Sequence, residues 1–143
     1  MAVQEAVEFA EADGNTLVVI AGDHETGGMS VGGYDEYESK PEILHDVTAT
    51  GNTMAEELND DRSNAAEVLE EYANIDISEE EAARIQSSEE PALEINTVIS
   101  EHAYVGWTSD AHTGTDVPLY AFGPGSEEFN GLLDNTDLPT RMT

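Results

Sequence analysis

The sequence predicts an α/β fold: part of a sheet with flanking helices, interrupted by a helical insertion. Three observations predict it. The apolar run Leu17-Val18-Val19-Ile20-Ala21 follows a helical stretch across a tight turn and opens onto Gly22-Asp23-His24-Glu25. A second apolar segment, Val117 to Phe122, follows a turn of small residues that holds His112. Between the two, Asn52 to Val105 carries its apolar residues at helical spacing.

Val3 to Ala12 is helical in pattern, with Val3, Val7 and Phe9-Ala10 on one side, and Gly14 is suited to cap its C-terminal end. The strand Thr16 to Ala21 follows at once. Its β-branched density suits a strand buried on both faces, as in a parallel or mixed sheet. A helix, a tight turn and a buried strand make half of a βαβ unit, so the chain is expected to begin in mid-fold. Gly27-Gly28 lets the backbone turn sharply, and Met29 to Val31 reads as a short strand closed by Gly32-Gly33-Tyr34.

Asp35 to Thr53, with Pro41 and scattered apolar residues, reads as irregular or weakly β. The helical block then shows a break near Asp60-Asp61. Ser63-Asn64 can cap its second piece, and Ser78 with Glu81 matches a capping box for Glu79 to Gln86. Ser87 to Glu90 reads as a linker. Pro91 suits the first turn of a helix whose apolar set is Leu93, Ile95, Val98, Ile99 and Ala103. Pro118 makes the start of the second strand edge-like, and Gly123-Pro124-Gly125 ends it. Phe129 to Leu133 is expected as a packed loop, and Asp134 to Thr136 as the cap of a short terminal helix. The organisation expected is residues 1–33 as helix, strand and first loop of the α/β core, 34–105 as a variable and mostly helical insertion, and 106–143 as second loop, strand and terminal helix.

Composition bounds the function. Four Lys+Arg against 32 Asp+Glu leave a net charge of −28, and Lys40 is the one lysine. Phosphate backbones and anionic membranes are repelled by such a chain, so nucleic acid and membrane are excluded as partners. The absence of cysteine rules out a disulfide framework and a thiolate metal site. No basic n-region with a long apolar core opens the sequence, and no apolar run is long enough to span a bilayer. Acidic residues spread through most segments point to a protein adapted to high salt, where the Debye length shrinks to about 3 Å at 1 M and self-repulsion fades. The alternative is an acidic face for a basic partner or for calcium, but no D-x-D-x-D-G loop is present.

The histidines are His24, His45, His102 and His112. His45 lies in a polar stretch without ligand spacing and reads as surface. His102 reads as a partly exposed helical residue beside Glu101. His24 and His112 both stand at strand ends in glycine-rich turns. Asp23 beside His24 offers a hard oxygen and an imidazole nitrogen to a metal such as zinc. An Asp-His pair after a strand is also an ordinary turn with a hydrogen-bonded histidine, and two ligands do not complete a site that needs three or four.

The stretch Thr16–Gly28, TLVVIAGDHETGG, taken with WTSDAHTGTDVPLYAFGPG from Trp107 to Gly125, resembles the C-terminal part of the alkaline phosphatase family. The resemblance covers residues 1–33 and 104–143 in order and spacing, and the middle only in general character. It implies an alkaline-phosphatase-like partial sheet, and a parent enzyme that hydrolyses phosphate monoesters through a phosphoserine with two Zn²⁺ and one Mg²⁺. By it, Asp23 and His24 ligate one zinc and His112 the neighbouring zinc, in a pair about 3.5–4 Å apart that clamps the attacking and leaving oxygens. Thr113 and Gly114 shape the loop. Glu25 and Thr26 either orient ligands or are turn residues. The parent is expected to be exported, periplasmic or extracellular, and a homo-oligomer, in its family a dimer.

The family's serine nucleophile, phosphate-clamping arginine, remaining zinc ligands and magnesium ligands belong to motifs N-terminal to these. Ser30 and Ser109 lack the nucleophile's context, and Arg62, Arg84 and Arg141 lie far along the chain from the matched loops. No catalytic residue is therefore assigned, and the chain alone is expected to be inactive. The rival is a silent, acidic, salt-adapted module that self-associates and binds cations on its surface. A sulfatase- or phosphomutase-like relative shares the metal scaffold, but the HTG-x-DVPLYA-x-GPG stretch argues for the phosphatase branch.

Overall fold

A computed structural model describes residues 2–142. The chain divides into two compact units, one formed by the residues up to Thr26 together with those from Ala111 onward, the other by Gly27–Asp110.

The first unit begins with α1 (Ala2–Asp13), closed by Gly14 at φ +68°, whose N–H donates to the Ala10 carbonyl at 2.9 Å. The ribbon that follows pairs β1 (Val18–Ala21) with β6 (Leu119–Phe122). The pairing is antiparallel, with Val18 opposite Phe122 and Ala21 opposite Leu119. This corrects the parallel or mixed sheet expected of β1, and its residues are half-buried to exposed. All eight ribbon residues are apolar or aromatic, so neither face is polar, which is the composition read above as double burial. Gly123, at φ +103°, ends β6 where a Cβ would strike the Thr16 carbonyl. Beyond it, a 3-10 turn (Ser126–Phe129) buries Phe129 and Leu133 is half-buried, whereas Leu132 is 84% exposed, so the loop expected to pack does so at its two ends. Asp134 caps the next turn reciprocally with Asp137, and α7 (Leu138–Arg141) follows.

A second pair in this unit is short. β2 (Glu25–Thr26) runs antiparallel to β5 (His112–Thr113), with Glu25 opposite Thr113 and Thr26 opposite His112.

The second unit holds the apolar core: Met54, Leu69, Ile85, Ile95 and Val98 are fully buried together with Ala65, Ala73 and Ile99. Its helices are α2 (Ile43–Asp46), α3 (Gly51–Glu56), α4 (Ala65–Ala73), α5 (Glu79–Ser87) and α6 (Pro91–Ala103). Helix α2 stands in the stretch expected to be irregular or weakly β, whereas α3 opens the block expected to be helical. The Thr50 hydroxyl accepts the Thr53 N–H and starts α3 one residue before the apolar periodicity begins. Helix α3 lies close on α6 because Gly51 has no Cβ: one there would meet the Ala92 carbonyl at 2.5 Å and the Asn96 side chain. Asn64 occupies the N-cap of α4 without capping it, because its side chain accepts from the Asn59 N–H at 2.9 Å and donates to the Glu57 carbonyl at 3.0 Å. Ser78 and Glu81 form the expected capping box on α5, and Pro91 opens α6. One further antiparallel pair joins β3 (Ser30–Val31) to β4 (Val105–Gly106). No helix among the described residues is long and apolar enough to cross a membrane.

Candidate metal centre

The loop after β1 and the β2–β5 ladder bring Asp23, His24 and His112 into one region of the first unit. Sequence separation hides this: β2 and β5 come from opposite ends of the chain, and only their register sets His112 across from Thr26. The His24 and His112 rings stack, with centroids 3.5 Å apart and planes at 21°.

His24 is oriented from both sides. Its Nδ1 lies 3.0 Å from the Glu25 carbonyl oxygen, which can only accept, so Nδ1–H donates to it and Nε2 is the ring nitrogen left for another partner. Asp23 Oδ2 stands 3.5 Å from that Nε2, while Asp23 Oδ1 accepts the His24 N–H at 3.2 Å. The Asp23 side chain is 90% exposed and that of His24 35%. Behind the histidines, the Thr113 hydroxyl donates to the Glu25 carboxylate and stands 3.3 Å from the Thr115 hydroxyl. A cleft of about 620 Å³ opens over this region, lined at one end by Asp23, His24 and Thr113–Val117 and at the other by Asn130–Asn135 and Leu138. No group of three or more histidine and carboxylate side chains gathers to metal-holding distance among the described residues.

The other histidines are elsewhere. His45 is exposed on α2. His102 is half-buried, and its Nε2 donates to Glu81 at 2.8 Å rather than to its neighbour Glu101. Glu101 instead accepts two bonds from Arg84, at 2.8 and 3.1 Å, and Glu94 accepts a third from the same guanidinium. These carboxylates raise the Arg84 pKa further above its already high ordinary value, against the opposing effect of burial. Arg62 donates to the carbonyls of Ile85, Gln86 and Ser88, and Arg141 to that of Glu128. All three arginines are thus engaged in holding the fold.

The sequence missed two features of the site, the stacking of the histidines and the Glu25–Thr113 hydrogen bond. Both depend on the register of a two-residue ladder that no periodicity announces.

Fold and site together define a class: a mixed α/β chain with a carboxylate–histidine loop at the end of a strand. The alkaline phosphatase family profile matches residues 1–143. The chain belongs to the alkaline phosphatase family. It is 37% identical over 142 residues to alkaline phosphatase 4 of Bacillus subtilis (strain 168), covering 95% of this chain and 31% of that protein. It is 36% identical over 146 residues to alkaline phosphatase 3 of the same organism, covering 96% of this chain and 31% of that protein. The fold is similar to a solved cold-active alkaline phosphatase from a psychrophilic Shewanella sp., with TM-score 0.83, 26% identity, and coverage of 99% of this chain and 36% of that one. The chain spans about a third of the length of these relatives.

Proposed function

We propose that this chain supplies part of the two-zinc centre of a phosphate monoester hydrolase, with Asp23 and His24 holding one zinc and His112 the other. The observation that carries the reading is the stacked pair of histidines with Asp23 beside one of them. The donor set suits the metal. Ligand atoms at about 2.0–2.2 Å in a tetrahedral shell stand roughly 3.3–3.6 Å from one another, and Asp23 Oδ2 and His24 Nε2 are 3.5 Å apart. Near-parallel rings 3.5 Å apart also match a metal pair spaced at about 3.5–4 Å. Bound zinc would supply Lewis-acid stabilisation to the oxygens of the transferring phosphoryl group.

The chain's own residues have three tasks. The Glu25 carbonyl accepts from His24 Nδ1–H, which leaves Nε2 to ligate. Asp23 contributes negative charge at the same point, which favours a cation over the neutral pair. The cleft beyond them leaves room for an ester group. The nucleophile, the phosphate-binding arginine and the ligands for magnesium come from polypeptide other than these residues, so the chain alone turns over no substrate. The parent enzyme is read as exported and as a homo-oligomer, on the strength of the family.

A second reading has support from charge and surface. With −28 net charge and a ribbon that is apolar on both faces, the chain is suited to self-association in high salt, with cations gathered on its surface.

The test is a chimera in which residues 1–143 replace the corresponding segment of the Bacillus subtilis relative. Hydrolysis of a chromogenic phosphate monoester by the chimera, lost in His112→Ala and absent from the isolated chain, is the expected result. A folded chimera without activity contradicts the phosphatase reading, and turnover by the isolated chain contradicts the assignment of the nucleophile elsewhere.

A further inference from the structure

We propose that Glu25 is a positioning residue that latches the two histidines together, its main-chain carbonyl bonded to the His24 ring and its carboxylate fixing the strand that carries His112. The inference rests on the metal-centre reading above for its purpose, though not for its geometry.

The β2–β5 ladder is only two residues long on each strand, and so short a pairing has little intrinsic stability. In extended backbone, successive side chains alternate between faces. The register therefore sets Glu25 and Thr113 as one cross-strand pair and Thr26 and His112 as the next, on the opposite face. His24 stands at a bend one residue before β2, and its ring stacks on that of His112. The Thr113 hydroxyl donates to the Glu25 carboxylate on the other face. A hydroxyl donating to an ionised acceptor makes one of the stronger side-chain bonds, and Glu25 is half-buried, so water competes with it less than at the surface. The ladder is thus closed from behind while the histidines meet in front. A one-residue slip would turn His112 to the wrong face. Loss of the latch should therefore part the rings before it unfolds anything else.

The experiment compares Glu25→Ala, Glu25→Gln, Thr113→Val and Thr113→Ser in the full chain in molar KCl, with NMR of the imidazole protons. Stacked rings shift each other's resonances, which gives a readout that loss of stability alone would not imitate. Glu25→Ala and Thr113→Val, which lack acceptor and donor, are expected to lose that shift. The double variant should lose no more than either single one. Glu25→Gln and Thr113→Ser, which keep them, are expected to retain the shift. Should Glu25→Ala fail to fold, the contrast between Thr113→Val and Thr113→Ser decides. A shift that survives in all four variants, or disappears from all alike, overturns the proposal. Zinc titration of the same set separates the two readings. Binding weakened about 10- to 100-fold in the two latch-deficient variants supports both. Parted rings with no zinc uptake by the unmodified chain support the latch and count against the ligand assignment. Parted rings with unchanged zinc affinity overturn the positioning role.

Discussion

Replacing Glu81 by alanine should destabilise the helical unit by about 2–3 kcal/mol. Glu81 Oε2 accepts from the Ser78 N–H and the Ser78 hydroxyl, both at 2.7 Å, and Oε1 accepts from His102 Nε2 at 2.8 Å. One side chain therefore closes the N-terminus of α5 and ties that helix to α6. Loss of a cap costs about 1 kcal/mol. Loss of a hydrogen bond to a charged group costs about 1.5–3 kcal/mol. The lower end applies, because the His102 side chain is 28% exposed and water can replace the lost partner. Glu81→Gln keeps the acceptor for Ser78 but puts an amide NH2 where the His102 N–H needs an acceptor, so it should keep the cap and cost about 1.5 kcal/mol. Urea unfolding at fixed KCl measures both variants without changing the screening. In the folded chain burial raises the Glu81 pKa, but the bonds from Ser78 and His102 outweigh it and leave it below the ordinary carboxylate value. Its stabilising contribution is therefore complete above that ordinary value and is lost as pH falls through the lowered one. The gap between native chain and Glu81→Gln should shrink on acidification. A Glu81→Ala loss under about 0.5 kcal/mol, or equal losses for alanine and glutamine, would refute the reasoning.

Gly51→Ala should cost about 1–3 kcal/mol in the same assay, because its new Cβ would overlap the Ala92 carbonyl, and backbone cannot step aside as a flexible side chain can. Arg84→Lys should cost about 1 kcal/mol, since an ammonium cannot make the two-pronged bond to Glu101 while also reaching Glu94, and the side chain is 37% exposed. Thermal unfolding should move to higher temperature from dilute buffer to molar KCl, as screening relieves the −28 charge. A midpoint that stays flat or falls with salt would contradict the salt-adapted reading.

Local signals carried most of the helices. The capping box at Ser78 and Glu81, Pro91 at the start of α6, and Gly14 after α1 are short-range features, and each stands where the sequence puts it. The β1–β6 ribbon was legible as two strands but not as a pair. Apolar residues on both faces carry no sign of strand direction, and the antiparallel register is fixed by contacts from the two ends of the chain. Helix α2 was hidden because one turn of helix is too short to show a period, whereas α3, started by the Thr50 to Thr53 bond, begins within a residue of the helical stretch the sequence shows. At the candidate metal centre, Asp23, His24 and His112 stood out through their motif context. The stacking of the histidines and the bond from Thr113 to Glu25 did not, since neither partner marks the other along the chain. His102 shows the same limit: nothing along the chain points to Glu81, which helix packing brings to it.

The central claim, that this chain carries half-sites for zinc, is tested most directly by calorimetric zinc titration in molar KCl. The chains to compare are the unmodified protein, Asp23→Asn, His24→Ala and His112→Ala. The account predicts measurable zinc binding by the unmodified chain, weakened in each variant, with His24→Ala losing the most because its ring is flanked by both Asp23 and His112. Binding that is equal in all four chains would place zinc elsewhere on the acidic surface and contradict the claim.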